Sequence, residues 1–118
     1  MSLHIKRIYE PPSPSDGFRV LVDRLWPRGV SKENADINEW LKDVAPSTEL
    51  REWFNHEPEK WKSFSEKYSA ELKDSPAFGE LESIVEKHKN VTLLYAAKDE
   101  HYNQAVILSE LLQSHKKE

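Results

Sequence analysis

The sequence contains no cysteine. That excludes disulfide frameworks, thiolate nucleophiles and cysteine-ligated zinc or iron–sulfur centres, and it fits a reducing compartment. Glycine is scarce, with three residues, none in a G-x-G-x-x-G or Walker arrangement. Phosphate cradles of those kinds need closely spaced glycines so that backbone N–H groups can reach the anion. No apolar run approaches the ~18 residues of a membrane-spanning helix, and the N-terminus has no apolar signal core. A cytoplasmic protein with no membrane partner is the expectation. Positive charge is not in excess either: the net charge is −4, which leaves no broad cationic field for nucleic acid. No His-x-x-x-His pair is present, so no metal is expected unless the fold gathers Asp23, His56, Asp99 and His101.

What is present is enough for one core. A chain of 118 residues is a single domain by length, taken here as 1–118. The charged fraction is 32% against 37% apolar, a balance that leans toward disorder. Four residues each of tryptophan, tyrosine and phenylalanine, set in periodic segments, argue for folding.

Leu3, Ile5 and Ile8 fall near strand alternation. Pro11 to Gly17 holds three prolines and a glycine and reads as a loop. Phe18 to Asp23 is an almost continuous apolar, β-branched run, suited to a strand covered on both faces. Ser31 to Asn34 allows one helical turn. Glu39 to Ala45 is ambiguous but permits a strand. Ser47 reads as the N-cap of a helix reaching about Asn55 and burying Leu50, Trp53 and Phe54. Pro58 suits the start of the next helix, with Trp61, Phe64, Tyr68 and Leu72 as its buried stripe. Ser75 and Pro76 open a third helix, Val91 to Tyr95 forms another buried strand, and Asn103 to Gln113 closes as a helix. The end, 115–118, reads as a frayed tail. Strands separated by helices predict an α/β fold: a small, mostly parallel sheet of about four strands covered by about four helices in three layers. A four-helix bundle fits Val20–Val22 and Val91–Tyr95 less well.

In such a sheet, ligands bind beyond the carboxyl ends of the strands. The polar residues there are Asp23, Arg24, Trp26 and Arg28 after one strand, Pro46, Ser47 and Arg51 after the next, and Lys98, Asp99, His101, Asn103 and Gln104 after the last. Arginine offers a bidentate fork to phosphate or carboxylate, and tryptophan a face for a flat ring. The pattern points to a small anionic, nucleotide-like partner. Asp23, His56 and Asp99 are the candidate acid–base residues. Arg24, Trp26, Arg28, Ser47, Arg51, Lys98, His101 and Asn103 are the candidate ligand contacts. Each has a plain structural alternative. Asp23 and Arg24 could be an ion pair, Trp26 a core plug, Arg51 a partner of Glu49 or Asp43, His56 a helix-junction residue, and Lys98–Asp99 a solvated turn. Neither a cofactor nor an oligomeric state is specified. A regulator of nucleic acid would need a basic recognition helix, which is missing. A non-catalytic interaction module would use Trp26 and the Pro11–Pro14 loop.

Three blocks resemble a known family: Asp16 to Gly29 (DGFRVLVDRLWPRG), Trp40 to Ser47 with Glu49 to Phe54 and His56, and Leu93 to Gln104. They look like the YeaO-like branch of the bacterial domain-of-unknown-function 488 family, over nearly the whole chain. The resemblance implies a compact α/β domain. It places the family's motif residues at Asp23, Arg24, Trp26, Arg28, Pro46, Ser47, Arg51, His56, Lys98, Asp99, His101 and Asn103. Wider relatives carry cysteines near the last strand, where this chain has Ala96 and Ala97. Any thiol chemistry therefore does not transfer. Glu57 replaces a short N-cap, which implies a weaker helix start at Pro58.

Overall fold

The computed structural model describes residues 2–55 and 57–116. Four strands, β1 (Ser2–Arg7), β2 (Phe18–Leu21), β3 (Glu39–Trp40) and β4 (Asn90–Tyr95), form one sheet in the order β1-β4-β2-β3. Every pairing is parallel. The helices are α1 (Lys32–Ala35), α2 (Thr48–Phe54), α3 (Trp61–Lys73), α4 (Pro76–Lys87) and α5 (Gln104–Lys116). The sheet is therefore fully parallel, and α5 covers the first part of the expected tail.

Side chains alternate across the strands, and the two faces carry different cores. Val20, Val91, Leu93 and Tyr95 join the larger cluster, with Leu50 and Phe54 of α2, Phe64, Tyr68 and Leu72 of α3, Leu81 and Val85 of α4 and Leu108 of α5. Leu21 and Leu94 point the other way, to Ile8 and Ala35, with Trp26 and Val30 packed over them. That second cover is thin, one four-residue helix and its loops. Its polar centre is Arg19, only 3% exposed. Arg19 donates to Asp16 Oδ2 at 2.5 Å and to the carbonyls of Ala35 and Asp36. Lys6 reaches the same carboxylate at 3.1 Å. The buried positive charge is thus paired and hydrogen-bonded, as burial requires.

Local signals place most boundaries. Ser47 and Ser75 each accept the N–H three residues on, capping α2 and α4. A 3-10 turn at Pro58–Lys60 precedes α3, and Glu57 makes no side-chain cap there, consistent with the weak start inferred for that position. The ambiguous Glu39–Ala45 stretch resolves into two strand residues and a 3-10 turn at Lys42–Val44. Trp53 corrects the sequence reading: it is 39% exposed rather than buried. Helix α2 turns Leu50 and Phe54, four residues apart, into the core, which leaves Trp53 on its flank. The ammonium groups of Lys60 and Lys67 lie over that ring at 5.0 and 5.2 Å.

Candidate functional site

The chain leaves β2 toward β3 on one side and leaves β4 toward α5, which packs on β1 and β4, on the other. Connections diverging from adjacent parallel strands open a crevice beyond their carboxyl ends. A pocket of about 320 Å³ occupies it. That volume is at the small end for ligand sites. The loop after β2 contributes Asp23 to Arg28. Ala45 and Pro46 follow β3, Arg51 and Phe54 come from α2, Phe64 from α3, and Ala96, Ala97 and Tyr102 to Gln104 from the β4–α5 connection.

Asp23 sits at the junction of these segments. Its Oδ2 accepts the Ala96 N–H at 2.9 Å. Its Oδ1 accepts from Gln104 Nε2, which also reaches the Val22 carbonyl at 3.4 Å. Burial pushes the Asp23 carboxyl up; the Ala96 and Gln104 donors and the nearby positive charge of Arg51 pull it down, and the net position is above the ordinary carboxylate value. Its backbone carbonyl accepts Trp40 Nε1 at 2.7 Å.

Arg24 does not pair with Asp23 among the described residues. It donates to the carbonyls of Ala45 and Pro46 at 3.1 and 3.3 Å, and approaches the exposed Asp43 at 3.8 Å. It therefore ties the β2 loop to the β3 loop, and the Asp43 pair adds little to stability. Arg28 and Arg51 are exposed. Among the described residues neither guanidinium has a hydrogen bond or salt bridge, so Arg51 pairs with neither Glu49 nor Asp43 there.

Trp26 is half-buried. Its Nε1 donates to the Val30 carbonyl at 2.6 Å, and its ring meets Trp40 edge-on at 5.4 Å. It is at once a plug over the second sheet face and a wall of the pocket. Phe54 and Phe64 stack at 4.4 Å, and Tyr102 stands edge-on to Trp61 at 5.2 Å.

Six of the acid–base and ligand-contact candidates thus share this pocket, Asp23, Arg24, Trp26, Arg28, Arg51 and Asn103, together with Pro46 and Gln104 from the same strand ends. Asn103 is buried. Its Oδ1 accepts the Val106 N–H and its Nδ2 donates to the Asp99 carbonyl. Ser47 does not line the pocket. Its hydroxyl caps Leu50 and donates to Glu71 Oε2 at 2.6 Å, while its own N–H reaches Glu71 Oε1 at 3.0 Å. Lys98, Asp99 and His101 lie outside the lining on an exposed turn, in which Asp99 Oδ1 accepts the N–H groups of His101 and Tyr102. His56 lies outside the described residues.

Two residues have defining roles that the sequence does not assign. Gln104, placed at the strand end but given no part as acid, base or ligand contact, holds the pocket's carboxylate. Arg7 donates to the carbonyls of Ala97 and Ala96 at 2.9 and 3.3 Å, fixing the turn after β4 from behind. The one available signal for Gln104 was its place at the start of a helix following the last strand. Among the described residues, no group of three or more acidic or histidine side chains could hold a metal ion, and no helix is long and apolar enough to cross a membrane.

A family model described as "Inactive DUF488-N3 subclade" matches residues 2–118. The chain belongs to this family. Among relatives of the DUF488-N3 chain, "Uncharacterized protein YeaO" of Escherichia coli K12 is 43% identical over 114 residues, 97% of this chain and 99% of the relative. "Uncharacterized protein Mb3100c" of Mycobacterium bovis is 43% identical over 110 residues, 93% and 92% of the two chains. "Uncharacterized protein Rv3073c" of Mycobacterium tuberculosis matches to the same extent. No solved structure matches.

Proposed function

We propose that this DUF488-N3 domain binds a small anionic molecule at the carboxyl edge of its sheet and does not transform it. One observation carries the reading. Arg28 and Arg51 line a pocket in which, among the described residues, their guanidinium groups meet no hydrogen-bonding partner. Arginine forks left open in a concave, largely apolar site favour a carboxylate or phosphate. Among the described residues, two groups that would supply acid–base or nucleophilic chemistry are committed elsewhere: Asp23 to Ala96 and Gln104, Ser47 to Leu50 and Glu71. The description of the family as inactive supports the non-catalytic half of the proposal.

Calorimetric titration at low salt with phosphate, nucleotides and small carboxylates tests it. Arg28→Ala and Arg51→Ala are surface changes that should leave the fold intact and each weaken anion binding about tenfold, the worth of one charge-assisted contact. If the double variant binds every anion as well as the parent does, the binding site is elsewhere. Turnover of any bound anion would remove the non-catalytic half.

A protein-interaction role is a second reading, favoured by Leu25, which is 65% exposed at the pocket mouth. Concentration-dependent sedimentation lost in Leu25→Ser would raise it above the first. The net charge of −4 weighs against a nucleic-acid role.

A further inference from the structure

We infer that the ligand is a compact apolar acid: a flat hydrocarbon or aromatic body carrying one carboxylate. This rests on the anion-binding reading above. Most of the pocket's neutral and acidic polar groups are already engaged within the protein, and this decides the class; the Tyr102 hydroxyl and Gln104 Oε1 remain for a ligand. Asp23 accepts with both oxygens, Asn103 uses its amide at both ends, and Gln104 directs its N–H donors to Asp23 and Val22. Arg24 is turned to the Ala45 and Pro46 carbonyls. A sugar or nucleobase would bring several hydroxyl and amide groups into this space and find few partners. Each such group stripped of water without a partner costs about 1–3 kcal/mol.

An apolar body meets the opposite situation. The walls it would touch are rings and small aliphatic groups, chiefly Phe54, Phe64, Pro46 and Ala96. Burying a ring against them is favourable and needs no donor. The remaining demand is one anion for the open arginine forks, and a carboxylate matches a fork in two parallel N–H···O bonds. The small volume points the same way, since it favours a short acid over an extended nucleotide.

Nitrogen-15 NMR titrations of the full chain with benzoate, naphthoate, benzamide, adenosine monophosphate and inorganic phosphate test the inference. Both carboxylates should shift the amides of Asp23 to Trp26, of Arg28 and of Ala96 to Gln104. Naphthoate should bind several-fold tighter than benzoate because it buries more apolar surface. Benzamide, isosteric but uncharged, should bind about tenfold more weakly than benzoate, and Arg51→Ala should remove about that factor for the carboxylates alone. Equal binding of benzamide and benzoate would overturn the inference. So would tighter binding of adenosine monophosphate or phosphate than of naphthoate, though that result would leave the anion-binding reading standing. If no anion shifts these amides, both fall.

Discussion

The Asp23 carboxylate accepts the backbone N–H of Ala96 at 2.9 Å across a separation of 73 positions. That bond joins the loop leaving β2 to the turn leaving β4, and Gln104 at the start of α5 completes the carboxylate's coordination. The group that frames the pocket's floor is thus also one that burial drives toward its neutral form.

A pH dependence follows, with a definite sign. The folded-state value of Asp23 is raised, so below the ordinary carboxylate range both states are protonated and nothing is lost. As pH climbs, the unfolded chain ionises first, and the native state loses stability until its own value is passed. Asp23→Asn cannot titrate. Its Oδ1 can still accept from Ala96, and its amide can donate to a turned Gln104. Urea unfolding from about pH 4 to pH 7 should show the variant gaining on the parent as pH rises. A gap that stays flat across that range would mean Asp23 titrates normally. The variant should also bind benzoate more tightly at neutral pH, because a negative neighbour has been removed.

Asp16 should behave in the opposite way. Burial alone would raise it, but the Ser13 N–H, Lys6 and Arg19 outweigh that and hold it below its ordinary value. Its contribution is present above the ordinary carboxylate value and lost as pH falls through the folded one. Asp16→Asn leaves Arg19 buried beside Lys6 without a counter-charge and should cost about 3 kcal/mol at neutral pH. Chemical denaturation should show that deficit shrinking below about pH 4. A cost under about 0.5 kcal/mol at pH 7 would show the cluster to be dispensable.

Gly17 and Gly29 both have positive φ, 67° and 78°, yet should respond unequally to alanine. A Cβ at Gly17 would lie 2.3 Å from the Asn90 carbonyl oxygen, a backbone atom at the start of β4, whereas a Cβ at Gly29 meets nothing within 4 Å. Gly29→Ala should therefore cost only its conformational strain, about 1 kcal/mol. Gly17→Ala adds a clash at the β2–β4 junction and should cost at least twice that, about 2–3 kcal/mol. Thermal melts of the two variants decide the order.

Tyr68 is fully buried, and its hydroxyl donates to the Val44 carbonyl at 2.6 Å. Burial, reinforced by Glu71, holds the phenol well above its ordinary value, so it stays a donor at any accessible pH. Tyr68→Phe keeps the packing and orphans the Val44 carbonyl. A loss of about 1–3 kcal/mol in denaturant unfolding is expected. A loss near zero would mean that water reaches that carbonyl.

What could be read from residues alone was whatever has a short period or a local partner. The Phe18–Asp23 run, a strand as far as Leu21, the Val91–Tyr95 run, the Ser47 and Ser75 caps and the Trp61–Phe64–Tyr68–Leu72 stripe, whose Trp61 is only half-buried, all carry their cause within a few positions. The strand-end rule brought Asp23, Arg28 and Arg51 to one crevice, because it needs only the strand ends and not their order. The strand-end rule reached Gln104 too but not its bond to Asp23, and Arg7 escaped altogether, because those bonds cross 81 and 90 positions and leave no local pattern. Trp53 was misassigned because a seven-residue helix buries a narrow stripe, and size alone does not say which neighbour of that stripe faces inward. The Arg19–Asp16 pair was hidden because Arg19 sits inside an otherwise apolar strand and Asp16 in the turn before it.

The order β1-β4-β2-β3 also determines when the sheet can exist. Strand β4 is the last to be synthesised, yet it is the one that both β1 and β2 bond along their length. Until residue 95 has emerged, β1 has no neighbour and β2 has only the two-residue β3. The nascent chain must therefore hold one edge of its apolar β2 run unpaired through the synthesis of four helices, α1 to α4, then insert a strand between two waiting edges. Such late, distant pairing is slow and exposes sticky edges in the interim. A chain stopped before Asn90 would lack the middle of its own sheet.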